Sequence, residues 1–74
     1  MMAMTTPTYT ITLNGKPRAI AAELTVAQLL TLLDLPTSTV AVEINARLVP
    51  RQEHAARVLR ADDSVEVVSL VGGG

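Results

Sequence analysis

The stretch Thr8-Tyr9-Thr10-Ile11-Thr12-Leu13-Asn14-Gly15-Lys16-Pro17-Arg18-Ala19-Ile20 decides how the rest of this 74-residue chain is read. Tyr9, Ile11 and Leu13 fall on one side of an extended backbone and Thr8, Thr10 and Thr12 on the other, the alternation of a half-buried strand. Asn14-Gly15 follows at once, and both residues tolerate the positive φ that a tight hairpin demands. A strand is therefore expected to return through about Pro17 to Ala22. A two-residue loop would set Lys16 and Arg18 opposite Leu13 and Ile11, whereas a three-residue loop pairs those apolar residues with Pro17 and Ala19. The second register is expected, because it keeps charge off the core face.

Beyond the hairpin the period changes. Thr25 is placed to cap a helix, and Val26, Leu29, Leu30 and Leu33 recur at the spacing that puts one apolar stripe on a sheet. The helix is expected to stop near Asp34, since Leu35 precedes Pro36 and helical geometry is disfavoured there. Val40, Val42 and Ile44 alternate with Ala41, Glu43 and Asn45 as another strand, and Pro50 ends regular pairing soon after. Arg51 to Ala56 is mildly helical, Val58-Leu59 has the length of a short edge strand, Asp62-Asp63 makes a turn, and Ser64 to Val71 is a strongly β-forming run. Before the hairpin, Pro7 cannot donate a ladder bond, so the first strand begins after it. The expected division is a flexible start over residues 1–7, one domain over residues 8–71 and a flexible reactive tail over residues 72–74.

Composition narrows the function classes. A chain of this length buries about 60% of its unfolded surface, so one shallow core is the most it can build. There is no cysteine, so neither a disulfide framework nor a thiolate metal site is available. The net charge of −1 gives no general attraction to nucleic acid or anionic membrane. Arg47, Arg51, Arg57 and Arg60 form a local basic run without interleaved aromatics, which fits a solvated face or a protein-docking surface better than a nucleic-acid site. No apolar stretch approaches a membrane span, and Met1 to Pro7 lacks the basic end and apolar run of a signal peptide, so a cytoplasmic location is expected.

Candidate chemistry gathers at the last residues. Gly72, Gly73 and Gly74 follow an apolar strand without a polar spacer. With Val65 and Val67 facing the core and Glu66 outward, Val68 and Leu70 lie on the outer face beside the tail, as an exposed apolar patch for a partner. Taken as the chain's end, Gly74 carries a carboxylate that is ionised at neutral pH and a poor electrophile, so it must be activated before it reacts, as by ATP through an acyl-adenylate. Residues without β-carbons can thread a narrow channel toward a nucleotide. The chemistry would then occur in a partner enzyme, with this chain as carrier and not catalyst.

Other residues read as structural. His54 has no nucleophile set near it in sequence, and surface or partial packing is expected. Asp62-Asp63 lacks the further oxygen ligands of a cation loop, and no metal is expected.

The order of hairpin, helix, strand, irregular segment, short strand and final strand matches the β-grasp fold of ubiquitin, an α+β arrangement with a mixed sheet of four to five strands and one main helix across it. From about Tyr9 to Gly74 the chain resembles the ThiS-type sulfur carriers. The resemblance is carried by Val42-Glu43-Ile44-Asn45, Leu48-Val49-Pro50-Arg51 and Asp63-Ser64-Val65-Glu66-Val67-Val68-Ser69-Leu70-Val71-Gly72-Gly73-Gly74. It departs from the family's common pattern at His54, where a bulky aromatic is usual, and at Asp62-Asp63, where Gly-Asp is usual. The resemblance implies adenylation of Gly74 by a ThiF-like adenylyltransferase and conversion to a thiocarboxylate with sulfur from a cysteine desulfurase system. It implies delivery to a ThiG-like thiazole synthase in thiamine biosynthesis. No permanently bound cofactor is implied, only ATP used by the partner. Val68, Leu70, Val71 and Arg51 are the expected partner contacts, although Asn45 and Arg51 also suit local backbone satisfaction. Two other readings stay open: a molybdopterin-synthase small subunit, whose usual proline before the glycines is absent from Ser69-Leu70-Val71, and a TGS-like binding module, which would call for a polar binding face and a neighbouring domain.

Overall fold

The computed structural model describes residues 7–70. Met1 to Thr6, and with them most of the expected flexible start, lie outside the described residues, as do Val71, Gly72, Gly73 and Gly74. Among the described residues five strands form one sheet: β1 (Thr8–Leu13), β2 (Lys16–Ala21), β3 (Val40–Ile44), β4 (Arg47–Val49) and β5 (Ser64–Ser69). Their order is β2-β1-β5-β3-β4, with β1 parallel to β5 and the other neighbours antiparallel. The helix α1 (Val26–Leu32) supplies the second layer. β5, the last strand, is thus the middle of the sheet.

The first hairpin corrects the expected register. Asn14 and Gly15 have φ of 49° and 83°, so both central residues are left-handed and the loop closes in two residues. Leu13 consequently faces Lys16, and Ile11 faces Arg18. The expectation that charge would leave the core face fails because β2 is the edge of the sheet. Lys16 and Arg18 share that face yet remain exposed, since long side chains on an edge strand can reach water. Ile20 is the residue of β2 that enters the core.

The helix forms as its pattern requires. Thr25 accepts from the Gln28 backbone N–H at 3.1 Å, and the Gln28 side chain accepts from the Thr25 N–H at 2.9 Å, a reciprocal capping box. Val26, Leu29 and Leu30 are fully buried, and Leu33 is half-buried against them. The stop is made by Asp34, whose φ of 58° lets the Leu35 N–H reach back to the Leu30 carbonyl at 2.9 Å.

Two segments differ from the sequence reading. Arg47–Val49 is a strand, joined to β3 by Asn45 and Ala46 with φ of 54° and 69°, a second two-residue hairpin. Val58-Leu59 is not an edge strand of the sheet. It makes a single bridge with Thr25, and the Leu59 N–H donates to Leu24 O at 2.8 Å, so Leu59 closes the core under the start of the helix. Two residues are too few to hold an edge, but enough to fill that gap.

Candidate functional site

β5 leads toward the glycines through the centre of the sheet and is held from both sides. On one side the Asn14 N–H donates to Val65 O at 2.8 Å, and the Asn14 side chain accepts from the Val67 N–H at 2.8 Å. On the other, the Asn45 N–H donates to Ser64 O at 2.8 Å while its side chain accepts from the Ser64 N–H at 3.0 Å. Each hairpin turn therefore begins with an asparagine whose amide continues the ladder onto the same strand. Asn tolerates left-handed φ and its amide mimics a peptide, so one residue performs both tasks.

Asp63, just before β5, is a buried anchor. Its carboxylate accepts from Asn45 Nδ2 at 3.0 Å and from the Arg60 N–H at 2.9 Å, and Arg57 lies 3.6 Å away. Arg57 also donates to Val58 O. Asp62, with φ of 69°, makes the turn, so the expectation of a turn at Asp62-Asp63 and of a local role for Asn45 holds. No group of three or more His, Cys, Asp or Glu capable of holding a metal occurs among the described residues.

At the far end of β5, Leu70 is still tied to the body, its N–H donating to Thr39 O at 2.8 Å. Val67 packs against the core, while Val68 and Leu70 are 54% and 61% exposed, the facing read from the alternation. Arg51 is exposed on the short 3-10 turn Arg51–Glu53, and its guanidinium reaches Ser38 O at 3.5 Å, next to the residue that pairs with Leu70. Three of the four expected partner contacts, Val68, Leu70 and Arg51, are thus brought to the tail end of the sheet. Val71 and the glycines lie outside the described residues. Leu48, 64% exposed opposite Glu43, extends the apolar surface and was hidden from sequence reading because its strand went unrecognised. The signal for it was Asn45-Ala46 between two alternating runs.

His54 departs from expectation. It is 3% exposed, its Nε2 lies 3.1 Å from Val49 O, and its buried Nδ1 has no partner among the described residues. The His54 carbonyl accepts from the Ala27 N–H at 2.9 Å, which draws the irregular segment onto the helix start and takes the ring inside with it.

A mixed sheet with its first and last strands parallel at the centre and one helix across it defines a ubiquitin-like β-grasp protein. Residues 11–74 match the ThiS family, and the chain belongs to this family of small sulfur carriers. Its backbone superimposes on the crystal structure of the thiamine biosynthesis protein ThiS from Geobacter metallireducens with a TM-score of 0.76, at 34% identity over 88% of this chain and 99% of that one. The solution structure of that organism's thiamine biosynthesis protein gives a TM-score of 0.74, covering 88% of this chain and 87% of that one. In sequence the chain is 44% identical over 64 residues to a thiazole synthase of Magnetococcus marinus, and 34% identical over 64 residues to the uncharacterized protein ycf40 of Porphyra purpurea. The match covers 86% of this chain in both cases, 20% of the synthase and 90% of the Porphyra protein. The chain thus spans about a fifth of the length of the thiazole synthases it matches, a second being that of Paramagnetospirillum magneticum at 36% identity. Among the described residues no helix is long and apolar enough to cross a membrane.

Proposed function

We propose that this chain carries sulfur on Gly74 for synthesis of the thiazole ring of thiamine. In this reading a carboxylate oxygen of Gly74 attacks the α-phosphorus of ATP in a ThiF-like adenylyltransferase and releases pyrophosphate. The outer sulfur of a persulfide supplied through a cysteine desulfurase then displaces AMP at the acyl carbon to give an acyl disulfide. A second thiol of the sulfur-transfer system attacks the donor's sulfur, leaving a disulfide there and releasing a thiocarboxylate on Gly74 for a thiazole synthase. The chain contributes the reacting end and the surface that is gripped. It does not catalyse any of these steps. Val68, Leu70, Val71 and Arg51 make the grip, and Gly72-Gly73 give the reach, since residues without side chains pass a narrow channel at least cost.

The observation that carries the proposal is the anchoring of β5. The strand is clamped by Asn14 and Asn45 and tied at Leu70, so the tail begins from a fixed point beside exposed Val68 and Leu70. A fixed origin converts enzyme contacts with the body into positioning of the reacting end. The stretches of thiazole synthase in two organisms that resemble this chain support the choice of acceptor.

Intact-mass spectrometry of the chain after incubation with ATP, a desulfurase and the adenylating enzyme tests the reading. The expected result is the mass gain of one sulfur replacing one oxygen, confined to the peptide that ends in Gly74, and loss of that gain when Gly74 is deleted. An unchanged mass with an enzyme that activates its own carrier would sink it.

A further inference from the structure

Asn14-Gly15, the turn that clamps β5, has a reaction of its own. The amide carbon of an asparagine side chain is an electrophile, and the backbone nitrogen of the next residue is its nearest nucleophile, which makes asparagine a thermolabile residue. Glycine in the next position leaves the approach open, since it has no β-carbon. Both residues are exposed, and a β-carbon at Gly15 would meet nothing beyond its chain neighbours within 4 Å. Asn45 stands in a turn of the same kind but is followed by Ala46, whose β-carbon crowds the same approach.

Val67 restrains the reaction. The Asn14 Oδ1 accepts from the Val67 N–H at 2.8 Å, and Nδ2 lies 3.4 Å from the Val67 carbonyl. While both bonds hold, the amide is turned toward β5 and Cγ is not free to swing onto the Gly15 nitrogen. The turn must first open from β5, and two such bonds keep it closed by a factor of about ten to thirty.

We propose that Asn14-Gly15 is a site of spontaneous deamidation, gated by the Val67 clamp, whose isoaspartate product unfastens β5 from the first hairpin. In the opened turn the Gly15 nitrogen gives up its proton to hydroxide and bonds to Asn14 Cγ. The Cγ–Nδ2 bond breaks, and Nδ2 leaves as ammonia with a proton from water, closing a five-membered imide. Water then opens the imide at either carbonyl. One opening leaves aspartate, with the chain path intact and an acceptor still facing the Val67 N–H. The other leaves isoaspartate, in which the main chain runs through the former side chain. That product adds one carbon to a turn that closes in two residues and consumes the acceptor for Val67. The register of Leu13 opposite Lys16 and the clamp are then lost together. The consequence for the tail rests on the reading that β5 positions Gly74.

The full chain is held at mildly alkaline pH, folded and in concentrated urea, and Asn14 and Asn45 are followed by peptide mass, with isoaspartate scored by isoaspartyl methyltransferase labelling. Asn14 is expected to convert ahead of Asn45, and about ten- to thirtyfold more slowly in the folded chain than in urea. The isoaspartate species, separated by ion exchange, is expected to melt about 8 °C or more below the parent and to exchange the Val67 amide proton faster. The Asn14→Asp variant, which matches the other product, should show a smaller drop. Equal rates in folded and unfolded chain would remove the gate. No conversion of the folded chain over a period about a hundredfold longer than urea needs would remove the site. An isoaspartate species that melts with the parent and keeps the Val67 amide protected would leave β5 fastened. Each of these overturns the inference. Melting and exchange need no partner enzyme, so a parent that gains no sulfur while both shift as expected would refute the carrier reading and leave this one standing. Where the parent does load sulfur, undiminished loading by the isoaspartate species would refute the link to the tail.

Discussion

The side-chain amide of Asn14 grips the backbone of Val67, its Oδ1 accepting from the Val67 N–H at 2.8 Å and its Nδ2 lying 3.4 Å from the Val67 carbonyl. The two residues are 53 positions apart, so a turn residue near the start of the chain fixes the strand that presents the tail. Asn14→Ala is expected to cost about 2–3 kcal/mol, from the lost bonds plus a side chain forced into left-handed φ. Asn14→Gly should cost less, because the turn is kept, and Asn14→Asp least, because the better acceptor survives. Urea unfolding of the three variants checks the order.

Ala46 holds φ of 69° without the side-chain bonds, to Asp63 and Ser64, that help Asn45 stand at 54°. Ala46→Gly should therefore raise stability by about 0.5–1 kcal/mol. Measured destabilisation would mean that the methyl group packs more usefully than its backbone strain costs.

Asp63 closes a network of Asn45, Arg60 and Arg57 while 7% exposed. Asp63→Ala leaves those donors partly unpaired and is expected to cost about 2–4 kcal/mol. A double-mutant cycle with Asn45→Ala should return a coupling of about 1 kcal/mol, because the two side chains share one bond. Independent effects would show that the bond adds nothing net.

His54 fills the core beside Val49, and His54→Ala should destabilise by about 2–3 kcal/mol through the cavity and the loss of a partner for the Val49 carbonyl. Under conditions where the variant remains folded, sulfur loading of Gly74 is expected to proceed at the parent rate. Slowed loading by a fully folded variant would give the histidine a part in partner contact.

Val68 and Leu70 are exposed and hold no core. Val68→Ser/Leu70→Ser should leave the melting midpoint within about 2 °C while slowing adenylation about tenfold or more, as removal of apolar anchors does at an interface. Pyrophosphate release is the measurement, and an unchanged rate would move the grip elsewhere.

Much of the fold was legible in local pattern. The alternation of Tyr9, Ile11 and Leu13, the cap at Thr25 and the stripe from Val26 to Leu30 all stand in the structure as read. What was misread involves the partner of a segment rather than its own preference. Lys16 and Arg18 share the core face because the turn closes in two residues, and stay solvated because β2 is an edge; Val58-Leu59 is too short to hold an edge and docks on Leu24 and Thr25. His54 has the same local sequence whether it faces water or the core.

The sequence by itself determined the strand phase of Val65 to Val68, the hairpin at Asn14-Gly15 and the glycines after Val71, since each depends on the two-residue alternation or on φ freedom within a few residues. Only the tertiary structure decided that Asn14 and Asn45 both hold β5, that Glu43 faces Glu66, and that Arg51 reaches Ser38 next to Thr39, the residue that binds Leu70. Those relations join residues far apart in the chain, and register between strands, which sets them, is a property of the whole sheet.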